Sequence, residues 1–390
     1  MSLFTVPEYE SRLRKTKLLM EQRGIDVLLV TDPANMNYLT GYDGWSFYVH
    51  QMVAVFAEDA EPFWIGRKQD ANGAKLTTWL DHRNILPYPE DYVQSDEHHP
   101  MDFVVDLLHQ RRKAHASIGV EKDAYYFTAA CSETLQQGLP DATFINATLL
   151  VNRVRIVKSP EEIGLMKNAA RLVQKAMTIA TQSIEVGARE CDVAAKVYHA
   201  QIAGLEDIGG DYPAIVPLMP SGRKTSCSHL TWTDERYRDG DTVILELAGC
   251  YKRYHSPLAR TLTLGKAPQA VQDLADVVVE GLEQAISAVK PGVTCADIDQ
   301  VWRNVIEPRG YSKDSRLGYS VGMNYPPDWG EHTASIRKGD RTVLRPNMTF
   351  HMIAGMWTDD YGVEISETFC VTENGAQVLA AVPRRLFQNL

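Results

Sequence analysis

The stretch VILELAGCYKRYHSPLARTLTLG, residues 243–265, decides how this chain is read. Val243, Ile244, Leu245 and Leu247 make an almost unbroken apolar run. Such a run marks a strand covered on both faces, not one with a solvated side. Glu246 interrupts it. A carboxylate there either turns to solvent or is buried, and a buried one is expensive without a partner. A cationic substrate is one such partner.

Working outward, three later segments also read as strand-rich: SRLGYSVG (315–322), RPNMTFHMIAG (345–355) and YGVEISETFCVTENG (361–375). In the last of these, Glu364 and Ser366 are two residues apart and share a strand face, so Glu364 can direct a carboxylate where Ser366 points. Glu367 falls on the opposite face, where a structural salt bridge is expected. Helical patterns at about 268–289 and 296–306 alternate with these strands. Upstream, Ser159-Pro160-Glu161-Glu162 combines a capping box with proline at the first helical position. It opens a helix to about residue 184, and a second covers about 190–205. The first 155 residues read as mixed α/β, with a helix at about 8–23, strands near 25–30, 52–56 and 62–65, and helices near 101–110 and 126–136. The expected organisation is therefore two domains, 1–155 and 156–390, of α/β (α+β) class.

Composition excludes several functions. The 390 residues carry a net charge of −10 with a pI near 5.6 and no basic stripe, which argues against nucleic acid and anionic membranes as partners. With 44% hydrophobic and 23% charged residues the chain can bury a sizeable core. Its apolar runs are strand-length, well short of the ~20 residues of a membrane span. No basic region followed by an apolar segment opens the sequence, so export is not indicated and a cytoplasmic location is expected. The cysteines, at 131, 191, 227, 250, 295 and 370, have neither zinc-knuckle nor C-x-x-C spacing and read as reduced thiols.

Taken in order, these segments resemble the methionine aminopeptidase, prolidase and creatinase superfamily. The resemblance implies a creatinase-like N-terminal domain followed by a pita-bread domain. Metallopeptidases of that group hold two divalent ions with an Asp, a second Asp, a His, a Glu and a last Glu. Those places here read Glu246, Pro257, Tyr319, Ile353 and Ser366. Only Glu246 keeps a carboxylate, and Pro and Ile offer no donor. Creatinases hydrolyse a C–N bond without a metal, so the resemblance implies a metal-free hydrolase with no cofactor. TGYDGWSFYVHQ (40–51), GGDYPAIVPLMPSGR (209–223), HLTW (229–232), AGCYKRYHSPL (248–258) and YPPDWGE (325–331) carry a closer resemblance, to the ectoine hydrolases within that superfamily. It covers nearly the whole chain and implies opening of a cyclic amidine ring, with ectoine or hydroxyectoine as the small-molecule substrate.

The resemblance carries roles to individual residues. Glu246 holds the first metal-ligand position, which moves its reading from exposed charge to catalytic acid. His229 coincides with the histidine this superfamily sets beside its reacting carbon, although a lone histidine is commonly structural or exposed. Its imidazole suits proton transfer near neutral pH. Glu364 completes the catalytic set. Tyr319 stands where the metal histidine would be and can donate a hydrogen bond; Tyr254, His255 and His351 are either packing groups or substrate neighbours. Trp45, Phe47 and Tyr48 are either core or, as in creatinase-like homodimers, part of a region reaching over the neighbouring subunit's site. With Trp329 and Trp357 they could cage a flat cation. Arg316, Arg260 and Arg223 are each possible partners for a substrate carboxylate. The alternatives are a creatinase-like amidinohydrolase, an Xaa-Pro dipeptidase relative, and a non-catalytic binding module on the same frame.

Overall fold

The computed structural model describes residues 2–389 and divides between Arg155 and Ile156 into two compact units. In the N-terminal unit, β1 (Val27–Val30), β2 (Met52–Phe56), β3 (Phe63–Arg67), β4 (Ile85–Tyr88), β5 (Ser117–Val120) and β6 (Thr143–Asn146) form one mixed sheet in the order β4-β3-β2-β1-β5-β6. β1 and β2 are buried at every position, as their continuous apolar runs require. Helices Pro100–Gln110 and Ala129–Gly138 pack Val104, Leu108, Cys131 and Leu135 against Val27, Leu29, Ile118 and Val120. Residues 41–51 between helix Pro33–Thr40 and β2 contain no regular element.

Among the described residues the C-terminal unit has eight strands: β7 (Thr242–Tyr251), β8 (Tyr254–Leu264), β9 (Gly318–Val321), β10 (Gly330–Ile336), β11 (Thr349–Trp357), β12 (Gly362–Thr372), β13 (Gly375–Val378) and β14 (Phe387–Asn389). They make a five-stranded sheet, β10-β9-β11-β12-β13, and a three-stranded sheet, β14-β8-β7. The expected capping box is present: Ser159 accepts from Glu162 N–H and Glu162 accepts from Ser159 N–H, opening helix Pro160–Ser183. That helix and Glu190–Ala203 bury Val173, Met177, Val193 and Val197 against Val243, Leu245, Leu247, Leu258 and Leu262. Contact is so close that a Cβ at Gly249 would stand 1.9 Å from the Ala169 carbonyl oxygen. Helices Gln269–Ala288 and Cys295–Ile306 cover the other sheet, where Leu274, Val278 and Trp302 meet Met352, Ala354, Ile365 and Phe369. Each sheet thus has one helix-covered face, and the opposite faces are left for the site.

Candidate active site

Strand alternation builds the site. In the β7–β8 hairpin Glu246 lies opposite Ala259, Ala248 opposite Pro257 and Cys250 opposite His255. These residues share the face turned away from the helices, because Leu245, Leu247 and Leu258 fill the helix side. In the second sheet Glu364 lies opposite Gly355, Ser366 opposite Ile353, Thr368 opposite His351, and His351 opposite Tyr319. Met352, Ala354 and Ile365 belong to the helix-side core of that sheet. Hydroxyls tie β8 to β12. Thr261 Oγ1 accepts from Glu364 N–H at 2.8 Å, Ser366 Oγ accepts from Ala259 N–H at 2.6 Å, and Thr368 Oγ1 donates to the Pro257 carbonyl at 2.7 Å. The five positions singled out from sequence, Glu246, Pro257, Tyr319, Ile353 and Ser366, therefore lie on these two tied faces.

The acids are in an unusual state. Glu246 is 6% exposed and Glu364 1% exposed. No donor is bonded to the Glu246 carboxylate among the described residues, and Glu364 Oε1 is buried without a partner. Burial, the negative charge of Glu364 and that of Asp328 push Glu246 well above the usual carboxylate range. Burial raises Glu364 to about 7, opposed by Lys313. Two carboxylates that repel in a low-dielectric site do not ionise together readily.

Around them lies a largely neutral buried network. Trp329 Nε1 donates to Tyr319 Oη at 2.7 Å, Tyr319 Oη lies 3.2 Å from His351 Nδ1, and His351 Nε2 lies 2.7 Å from Ser366 Oγ. Burial lowers His351 to about 3 and raises Tyr319 above its ordinary value. His255 Nε2 accepts from Ala214 N–H at 2.9 Å. Burial lowers this histidine to about 3 as well, so its proton sits on Nδ1, which is buried without an acceptor. Trp329, Tyr319, Ala214 and Ala248 pack together with Ile215 and Ile353 at their edge.

Sequence reasoning missed two charged groups here. Lys313 Nζ donates to the Gly355 carbonyl at 2.6 Å and lies 4.9 Å from the centre of the Trp357 ring; burial lowers it to about 8. A Cβ at Gly355 would meet Trp357 at 2.5 Å and Glu364 at 3.1 Å, so the glycine makes room for both side chains. Asp328, in the YPPDWGE segment, bonds to His332 and to Gly330 N–H, and those contacts hold its pKa low despite burial. Its position between two prolines and a buried tryptophan was the available sequence signal. Lys313 gave none, since a lysine in a loop is ordinarily solvated.

Several sequence expectations need correction. Tyr254 does not line the site: it lies on the helix side of β8 and its hydroxyl donates to Glu162 Oε1 at 2.6 Å. Strand alternation separates it from its neighbour His255. Arg260 is not available to a substrate, because it is fully buried and bonded to Glu367, Ser366 O, Ala259 O, Val382 O and Pro383 O. Arg223 is exposed, whereas Arg316 stacks 4.1 Å from the centre of the Tyr319 ring. His229 is exposed on the loop after Ser226, its ring nitrogen 3.3 Å from Ser228 Oγ, and it makes no hydrogen bond to either acid. In the N-terminal unit Trp45 and Tyr48 are exposed and Phe47 is half-buried, so they are not core. Trp45 and Phe47 rings are 4.7 Å apart.

The donor set does not fit a dinuclear metal centre. Pro257 and Ile353 have no side-chain donor, Ser366 is committed to Ala259 and His351, and Tyr319 is held in its protonated form by burial. Among the described residues of the C-terminal unit, no three His, Cys, Asp or Glu groups converge on a common point.

Two helix-backed sheets with a buried acid pair between them make the frame, and the comparisons give its class. Residues 164–373 match the model of metallopeptidase family M24 and residues 12–157 the creatinase/prolidase N-terminal domain. The chain is 44% identical to an ectoine hydrolase of Halomonas elongata, with 98% of each chain covered. It is 43% identical to an uncharacterized hydrolase/peptidase of Sinorhizobium fredii, again with 98% of each covered. The prolidase of Pyrococcus horikoshii superposes with a TM-score of 0.82 at 24% identity, covering 97% of this chain and 100% of that one. The chain belongs to the M24 family with a creatinase-type N-terminal domain, and it is a hydrolase acting on a C–N bond.

Proposed function

We propose that this hydrolase opens the cyclic amidine ring of ectoine, or of its hydroxylated form, to an N-acetyl-diaminobutyrate, and that it does so without a metal ion. The observation that carries the reading is the pair of buried, mutually repelling carboxylates Glu246 and Glu364 on a frame whose other ligand positions are Pro257, Ile353, a protonated Tyr319 and a hydrogen-bonded Ser366. The 44% identical relative bears the name of that reaction.

An amidinium is a flat cation with two N–H groups. Paired carboxylates bind such a fork much as they bind arginine, and the cation relieves the repulsion between them. The amidinium carbon between the two nitrogens is already electrophilic, so hydrolysis needs no Lewis acid. One carboxylate takes a proton from the water that attacks that carbon, or attacks the carbon itself and is freed when a later water hydrolyses the enzyme-bound intermediate. The C–N bond then breaks, and the departing nitrogen receives a proton. His255 and His351, held near 3 by burial, stay neutral at pH 7 and are poor sources of that proton. We assign it to His229, which lies exposed on its loop. His255 Nδ1–H, Tyr319, Trp329, His351 and Trp357 shape the substrate cavity, and Arg316 is assigned to the substrate carboxylate. Trp45, Phe47 and Tyr48 are further substrate contacts in a proposed homodimer. A cytoplasmic location accords with six cysteines that are all free.

The test is exhaustive chelation followed by incubation with ectoine, with ring opening followed by NMR. Turnover at full rate is expected. Turnover only after Mn²⁺ or Zn²⁺ is restored would overturn the metal-free reading, and no turnover in either condition would remove ectoine as substrate.

A further inference from the structure

We propose that His50, His99 and Cys131 form a mononuclear site for a borderline transition-metal ion of the Zn²⁺ class in the N-terminal unit, with one coordination position open to the adjoining cavity. The three come from separate segments. His50 ends the loop that carries Trp45, Phe47 and Tyr48, His99 is the N-cap of helix Pro100–Gln110, and Cys131 lies in the first turn of helix Ala129–Gly138. Their donor atoms all lie within 4.8 Å of one another. Cys131 Sγ and His50 Nδ1 are 3.4 Å apart. A tetrahedral ion about 2.3 Å from sulfur and about 2.0 Å from nitrogen holds those two atoms about 3.5 Å apart, so little movement is needed to admit one.

Two further observations point to a ligand. The His50 ring hydrogen-bonds the Tyr126 backbone, the kind of outer contact that metal-bound histidines ordinarily make. His50 and His99 also line a cavity of about 150 Å³ with Tyr48, Tyr88 and Tyr92, which gives the fourth position room for water or a small anion. Tyr88 Oη donates to the His50 carbonyl at 2.6 Å and fixes its backbone. Burial lowers both histidines, and the nearness of His99 lowers His50 further, so both rings are neutral and able to ligate at pH 7. A soft thiolate with two imidazoles suits Zn²⁺, Co²⁺ or Ni²⁺ over Mg²⁺ or Ca²⁺.

On binding, the Cys131 thiol proton passes to solvent as the S–metal bond forms, with no change of oxidation state. Thr128 Oγ1 donates to the sulfur and supports the thiolate. The lone pair of His99 now accepts from Met101 N–H and would be given over to the ion. Asp102, bonded to His99 N–H at 2.8 Å, keeps the helix start closed. The ion would clamp the end of the aromatic loop to two helices of the same unit.

The test titrates chelated, tag-free full-length protein with Co²⁺. One equivalent should bind, giving a thiolate-to-cobalt charge-transfer band in the near ultraviolet and the visible bands of a four-coordinate ion. Cys131→Ala should lose the charge-transfer band, whereas Cys227→Ala, at an exposed cysteine of the other unit, should keep it. His50→Ala should weaken binding about tenfold or more with the band retained, which separates ligand loss from misfolding of the cysteine variant. No band at several equivalents, or the same band in Cys131→Ala, overturns the proposal. It stands apart from the hydrolytic reaction, so chelation that leaves ectoine turnover unchanged does not affect it.

Discussion

Strands β7, β8 and β12 carry two buried charge arrangements, and they behave in opposite ways. On one side Glu367 accepts from Arg260 at 2.7 Å and from Arg384 at 3.0 Å, and the remaining Arg260 donors end on backbone carbonyls. On the other, Glu246 and Glu364 face each other's charge across the two sheets without a bonded cation. Both arrangements are almost inaccessible to water, so burial does not distinguish them. Satisfaction does. A paired and hydrogen-bonded charge holds strands together, whereas a like-charge pair stores unfavourable energy that only a cationic ligand or a proton relieves. The first is architecture and the second is the proposed binding site.

The largest effect should come from the unsatisfied side. Glu246→Gln keeps shape and removes the charge proposed to hold the amidinium and to attack it or activate water, so ectoine turnover should fall by about 10³-fold or more. Because the change also relieves repulsion with Glu364, the melting temperature should hold or rise. Turnover near the wild-type rate would end the assignment of Glu246. The converse substitution, Glu367→Gln, leaves the Arg260 guanidinium buried and under-paired. A loss of about 3–5 kcal/mol in urea unfolding is expected, with the folded fraction still active. Unchanged stability there would mean that this pair is not the tie it resembles.

The comparison sharpens further with pH. Glu364 is raised to about 7 in the fold, above its ordinary value of 4.5. A raised carboxylate favours the folded state in its protonated form. Its stabilising contribution is therefore complete below about pH 4.5 and is lost as pH rises through 7. By linkage the loss is about 3 kcal/mol, so the ligand-free protein should unfold more easily at pH 8 than at pH 5. Glu364→Gln should flatten that slope. A bound amidinium reverses the sign, since it prefers the ionised acids, and ectoine affinity should rise across the same interval. A slope unchanged by Glu364→Gln would place the titrating group elsewhere, since the raised Glu246 alone accounts only for the remainder.

How much of this was legible in the sequence follows from the range of the forces involved. The capping box at Ser159–Glu162, the apolar strand around Glu246 and the opposite faces of Glu364 and Glu367 are local, and two- and three-residue spacings specify them. The resemblance supplied the frame and the replaced ligand positions. What could not be read was long-range. Lys313 reaches Gly355 from 42 residues away and His99 meets Cys131 across 32, and neither spacing carries a periodic signal. His229 marks the other limit, because sequence position alone did not reveal that its ring would lie exposed and unbonded to either acid.

The smallest predicted effect separates two adjacent residues. Tyr254 and His255 are consecutive on β8, both buried, and the sequence offered both as substrate neighbours. Alternation sends the tyrosine to the Pro160–Ser183 helix, where it bonds Glu162, and the histidine to the pocket, where Nδ1–H has no acceptor. Tyr254→Phe should therefore cost about 1–2 kcal/mol, the worth of one buried hydrogen bond to a carboxylate, and leave kcat/KM for ectoine unchanged. His255→Phe, which keeps an aromatic ring and removes both nitrogens, should raise KM. Its stability loss should be similar to that of the tyrosine variant, because Ala214 N–H is left without its acceptor. Matching stability losses with divergent kinetics are what two faces of one strand require. If Tyr254→Phe slowed turnover as much as His255→Phe, the pocket would have to reach through the strand to the helix side, and the separation of architecture from site on these strands would fail.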